Sequence, residues 1–212
     1  TIFQRMLVLA TDPEDQAAAL LWVGKTHAAE GNTTDAQRSY EQAALRDPTG
    51  YYSERAKELA TGLDPFESVA AYNLEYDLNA ERPAAETWLR STFGLSPDTN
   101  LADLGAISAD PAFQRGEELH RLGLFAEARN EFEAVRLSVV SDPAQTFRLM
   151  NFHLEQNYYR SAILASRQIL DLAGMDDAGT LSAPKYFNHI RFGIYYRDLV
   201  LPNADQYNID PL

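Results

Sequence analysis

The chain has 212 residues, 45% of them hydrophobic, enough apolar material for a large core in one elongated helical domain or two lobes and too much for disorder. The 18 Lys plus Arg against 31 Asp plus Glu leave a net charge of −13; no basic cluster overrides that field, so a phosphate backbone is repelled and nucleic acid is excluded as a partner. The absence of cysteine excludes disulfides, thiolate metal sites and a cysteine nucleophile, and leaves the compartment open.

Residues 1–9 read as the end of an apolar helix. TDPEDQ then signals a new start, with Thr11 or Asp12 as N-cap, Pro13 at the first helical position and acids in the first turn. Helices are predicted over 13–30 and 33–46. Within them Gly24 and Gly31 fall where two helices pack closely or turn, Ala36 and Ala43 are small, Tyr40 is large, and Asp47-Pro48 ends the second helix. That order matches the tetratricopeptide pattern, whose repeat is about thirty-four residues, with Leu20 and His27 as mild departures. A third short helix carries Tyr51 and Tyr52 and closes at Gly62. Core packing is the favoured role for this pair, since adjacent helical residues diverge and one can point inward; a sugar-stacking surface is the alternative.

Residues 63–110 are less regular. An Asp64-Pro65 start is followed by a predicted helix over 83–93, a loop punctuated by proline and glycine, and a short helix near 101–106. Trp88 reads as a core anchor first and a ligand platform second. Residues 111–182 return to hairpins, with helices predicted over 111–122, 125–139, 143–156 and 158–173. Gly116, Gly123, Ala128 and Phe132 repeat the spacing of Gly24, Gly31, Ala36 and Tyr40 without a slip. A weaker third copy has Asn157, tolerant of left-handed backbone, at the turn, followed by Tyr159 and Ala162. Residues 174–182 read as a flexible connector in which Asp176 and Asp177 mark solvent exposure. Hairpins with one unburied apolar face must stack, so the expected fold is all-α: an irregular superhelix, or α-solenoid, of tetratricopeptide-like hairpins. The domain reading is 1–62, 63–110, 111–182 and 183–212.

The last stretch, 183–212, does not continue the repeat. RFGIYYRDLVLPNA reads as a linker into a new helix that Asp198 caps and in which Pro202 is the tolerated fourth residue. The aromatic end formed by Phe187, Phe192, Tyr195 and Tyr196 is expected to be exposed. The run Tyr195, Tyr196, Asp198, Leu199, Val200, Ala204, Tyr207, Asp210, Pro211 and Leu212 resembles the entrance to the catalytic domain of bacterial soluble lytic transglycosylases. TWLRSTFGLSPDTNL and FQRGEELHRLGLFAEARNEFEAV are similar to the helical superhelix that precedes that domain. The resemblance implies a parent enzyme that cleaves peptidoglycan glycan strands with one general-acid/base carboxylate, and an extracytoplasmic location. It also implies that 183–212 opens a truncated catalytic domain. The start without methionine agrees with an expected fragment of a longer protein.

No catalytic, metal or cofactor site is read in the chain itself. Glu67-Ser68 matches the family's catalytic dipeptide, but it follows Asp64-Pro65-Phe66 at a predicted helix start, where a glutamate favours the helix dipole, and the family's downstream segment is missing. No phosphate loop, nucleophile elbow, zinc motif or calcium loop occurs. His27, His120, His153 and His189 are isolated, and His27 and His153 fall on the inner repeat position, where packing is the expectation. No run approaches the roughly eighteen apolar residues of a membrane span, and the first residues lack a signal-peptide pattern. Two functions are consistent with these features. One is a non-catalytic superhelix of a lytic transglycosylase that binds glycan strands, with Tyr51, Tyr52 and Trp88 as candidate contacts, and positions the catalytic domain. The other is a stand-alone scaffold that binds other proteins.

Overall fold

The structure is a computed structural model that describes residues 2–64 and 74–211. Among the described residues every regular element is helical, so the fold is all-α. The chain divides into two compact units, Thr1–Tyr72 and Asn73–Leu212. The first holds α1 (Ile2–Leu9), α2 (Pro13–Ala29), α3 (Thr33–Ala44) and α4 (Tyr51–Thr61). The second holds α5 (Leu78–Phe93), α6 (Pro111–Arg121), α7 (Phe125–Ser138), α8 (Pro143–Glu155), α9 (Tyr159–Leu172), α10 (Lys185–Arg191) and α11 (Arg197–Tyr207).

Three antiparallel hairpins, α2–α3, α6–α7 and α8–α9, share one construction. Each opens on an Asp-Pro pair. Asp12, Asp110 and Asp142 accept hydrogen bonds from first-turn amides, at 2.9 Å for Glu14, 2.8 Å for Ala112 and 3.0 Å for Ala144, while the proline occupies a position that needs no amide donor. Each turns through a left-handed residue, Gly31, Gly123 or Asn157. The following amide reaches back five residues, Asn32 to the His27 carbonyl, Leu124 to Leu119 and Tyr158 to His153, at 2.8 to 2.9 Å. This closing bond satisfies a carbonyl at the end of the first helix; α3, α7 and α9 themselves begin without a side-chain cap.

Close approach decides how the two helices of a hairpin cross. A Cβ placed on Gly24 would lie 2.5 Å from Cε1 of Tyr40, and one on Gly116 would lie 2.5 Å from Cε1 of Phe132. The ring fills the space that the missing side chain leaves. Aligned on its turn, the third hairpin reverses the pair: Met150 stands on the first helix and Ser166 on the second, both fully buried. Ser166 Oγ donates to the Phe187 carbonyl at 3.0 Å, so the space beside it is taken by α10.

In the first unit Leu20, Leu21, Tyr40 and Ala43 form the core with Ala56 of α4. Ser53 ties α4 to the end of α3 by donating to the Ala43 carbonyl at 2.6 Å and accepting from the Asp47 amide at 3.1 Å. Pro48 is exposed and lies beyond the end of α3; it terminates the repeat and does not pack within it. In the second unit Phe113, Phe132 and Phe152 meet at centroid distances of 4.9 to 5.5 Å. A second cluster joins Leu89 of α5, Phe147 of α8, Ile169 of α9 and Phe187 of α10.

Several sequence expectations are corrected. Helix α5 begins at Leu78, because Asp77 accepts from the Asn79 and Ala80 amides; Pro83 therefore lies inside the helix. The helix expected near 101–106 is displaced to a 3-10 turn at Gly105–Ala109. Asn100 and Asp103 accept from the Ala102 and Gly105 amides at 2.8 and 3.0 Å, which diverts the backbone from helical bonding. The connector 174–182 is pinned: Asp176 accepts from the Gly179 amide at 2.6 Å, Asp177 pairs with Arg167, and Thr180 is buried in a 3-10 turn. Asp198 is in the first turn of α11, whose N-cap is Tyr196, so Pro202 lies deeper in that helix than its fourth residue. Pro65 and Glu67-Ser68 lie outside the described residues.

Gly116→Ala is expected to destabilise the chain by about 1–3 kcal/mol in urea denaturation, because the buried Phe132 ring cannot yield to the new methyl. Combining it with Phe132→Leu is expected to cost less than the two single changes added together. Strict additivity would show that the two residues do not compete for this space.

Candidate functional site

The candidate contacts chosen from sequence fare differently. Tyr51 is 59% exposed at the start of α4, whereas Tyr52 is half-buried against the first core. Their rings meet edge to face at 5.3 Å. Trp88 belongs to the second unit and is half-buried on α5, edge-on to Phe187 at 5.3 Å and to Phe93 at 6.2 Å. Its ring therefore serves the core, and of the three only Tyr51 offers an open face.

The aromatic end holds a more complete site. Phe187, expected to be exposed, is fully buried, because α10 turns it under α5 and α9. Beyond α10 the chain crosses the start of α9 through 192–196 and enters α11. The crossing is set by close packing at Gly193, where a Cβ would lie 2.5 Å from both the His189 carbonyl and the Tyr76 hydroxyl. Tyr76 stacks on His189 at 4.3 Å, His189 Nδ1 is 2.8 Å from Glu81 Oε2, and Arg197 donates to the Leu74 carbonyl at 2.9 Å and pairs with Glu75. Residues 74–77 thus hold the crossing from one side.

On its other side the crossing forms a groove of about 630 Å³ with α9 and α11, within the size range of small-molecule sites. Tyr159 stacks on Tyr195 at 4.2 Å and meets Tyr196 edge-on at 5.7 Å. The Tyr195 hydroxyl donates to the Ile190 carbonyl, and burial raises its pKa well above the ordinary tyrosine value. Phe192 and Tyr196 stay 70% and 61% exposed. Arg160 stands at the rim, with Ile163 and Leu164 beside it and Val200 opposite. The aromatic end was legible in the sequence; Tyr159 and Arg160 were not assigned to it, because only the path of α10 brings 192–196 back to α9.

The histidines do not form a site, and among the described residues no group of three or more His, Cys, Asp or Glu is placed to hold a metal ion. His120 Nδ1 is 2.8 Å from the Tyr158 hydroxyl. His27 is partly buried, its Nδ1 3.8 Å from Glu30 Oε2. His153 is fully buried among Phe132, Phe152 and Tyr158, with no hydrogen-bond partner for either ring nitrogen among the described residues. Burial lowers its pKa from 6.5 to about 4; nearby Glu133 opposes the shift and Arg136 adds to it. Among the described residues no helix is long and apolar enough to cross a membrane.

Compared with known protein families, with curated proteins and with solved structures, the chain matches none.

The unfolded chain takes up the His153 proton near pH 6.5 and the folded chain only near pH 4, so stability is highest above pH 6.5 and falls as pH drops through that window. The expected loss is about 3 kcal/mol by pH 4. His153→Leu is expected to flatten the slope between pH 6.5 and 5, followed by urea denaturation at each pH. An unchanged slope would show that the imidazole is hydrated or paired.

Proposed function

We propose that the chain is a non-catalytic, tetratricopeptide-like superhelical region of a peptidoglycan lytic transglycosylase, that it binds glycan strands, and that it positions the catalytic domain of its parent protein outside the cytoplasm. The repeated hairpin supports the superhelical part of this reading: three copies share the capped start and the left-handed turn, and two of them share a ring fitted against a glycine at the crossing.

The observation that carries the positioning role is α11. This eleven-residue helix buries none of its residues, and Leu199, Tyr207 and Ile209, just past its end, stand more than half exposed. A helix of this length is marginal in water by itself. An apolar surface here suits a helical domain packed against it, and Arg197 anchors the entry to α11 on residues 74–75. The glycan role is supported by exposed aromatic faces, Tyr51 in the first unit and Phe192 and Tyr196 in the second. A sugar ring can lay its C–H face on the negative face of such a ring.

The test is retention of the chain on purified sacculi, followed by calorimetry with soluble glycan oligomers. Binding is expected, with Tyr51→Ala weakening it severalfold while the helical circular dichroism is unchanged. No retention at millimolar sugar would overturn the glycan role and favour a scaffold for other proteins.

A further inference from the structure

We infer that the groove between α9, the 192–196 crossing and α11 is a subsite for a carboxylate-bearing sugar, in which Arg160 pairs with the carboxylate and the rings of Phe192 and Tyr196 receive the sugar face. The inference rests on the glycan-binding reading above and assigns that reading a place and a chemical preference.

Charge carries the argument. The protein has a net charge of −13, yet no carboxylate side chain is among the residues that line this groove. Arg160, at its rim, feels the charge of Glu133, but that carboxylate accepts its hydrogen bonds from Arg136, at 2.6 and 2.9 Å, which leaves the Arg160 donors available. Other arginines are directly ion-paired, such as Arg115 with Glu131 and Arg136 with Glu133. A second guanidinium, that of Arg191, lies 4.8 Å from the centre of the Phe192 ring and donates to the side-chain oxygen of Asn188 at 3.3 Å. Burial lowers the pKa of Arg191, the neighbouring Arg167 acts in the same direction, and Asp177 and Asp171 oppose it. The groove is thus an aromatic patch whose own lining carries one cation and no carboxylate side chain, on an acidic protein.

The shape of the patch selects among anions. A free phosphate would need several convergent donors, whereas this site offers a cation at one edge and flat apolar faces beside it. A guanidinium accepts a carboxylate through two parallel N–H donors, and the exposed rings offer stacking faces next to it. The ligand that fits is a ring with an apolar face and a carboxylate on a short arm. The lactyl carboxylate of a muramic-type sugar has that form, and an unsubstituted N-acetylglucosamine strand lacks it.

The test is calorimetry of the 212-residue chain with two tetrasaccharides, one alternating N-acetylglucosamine with N-acetylmuramic acid, the other chitotetraose, and with an acidic peptide as a third arm. Expected is about tenfold tighter binding of the carboxylated sugar, a preference lost in Arg160→Gln and weakened by added salt. Arg160 is exposed, so that variant is expected to keep its fold, and Phe192→Ala is expected to weaken both sugars alike. Equal affinity for the two sugars, a preference that survives Arg160→Gln, or equal binding of the acidic peptide would overturn the subsite. Sacculus retention that persists in that event would leave the glycan-binding reading standing; loss of all retention would overturn both.

Discussion

The structure depends on one packing constraint, the fit of a large side chain against a missing or small one where the two helices of a hairpin cross. Tyr40 against Gly24 and Phe132 against Gly116 bring the backbones close enough for the ring to touch the opposing helix directly. Interiors packed at crystal density convert such a fit into a fixed crossing, because neither partner can grow without moving the other. At the corresponding positions the third hairpin has Met150 and Ser166, both fully buried. The small Ser166 leaves room beside α9 for α10, whose Phe187 carbonyl accepts a hydrogen bond from its hydroxyl and whose Phe187 ring enters the core.

This constraint also explains what could be read from the sequence. Glycine inside a helical pattern is costly, so Gly24 and Gly116 stood out, and their partners followed at fixed spacing. The Met150–Ser166 pair gave no such signal, since either residue is ordinary in a helix. Asp-Pro pairs marked the three hairpin starts for a sound reason, an acceptor for the first amides followed by a residue that lacks a donor. The same rule misled at Pro83, where Asp77 had already started the helix. The other errors share a cause. Asn100, Asp103 and Asp176 bond their own local amides, so stretches that read as a helix or a flexible connector became fixed turns.

The candidate site was less legible because residue type does not fix exposure. Tyr51, Tyr52 and Trp88 are all residue types that stack on ligands, yet the structure leaves one ring open, half-buries its neighbour and packs the third on Phe187. The groove at α9 needs information that no local pattern holds. Its aromatic half lies in 192–196 and its cationic half in 159–160, and they meet because Gly193 permits the chain to pass against the His189 carbonyl and Tyr76.

The turn before α9 links this groove to the core behind it. Left-handed backbone at the hairpin turn is supplied by glycine in the first two copies and by Asn157 in the third, at a φ of 61°. Glycine would satisfy the backbone equally well, but it has no side chain, and Asn157 Oδ1 accepts a hydrogen bond from the Tyr159 hydroxyl at 2.5 Å. The residues on either side of the α9 start then diverge. Tyr158 turns inward to Phe132, His153 and His120, and Tyr159 turns outward to stack on Tyr195. One turn therefore orients an inner ring that belongs to the core and an outer ring that belongs to the groove. The groove and the packing around His153 thus share one turn, with Tyr158 on the core side of it and Tyr159 on the groove side.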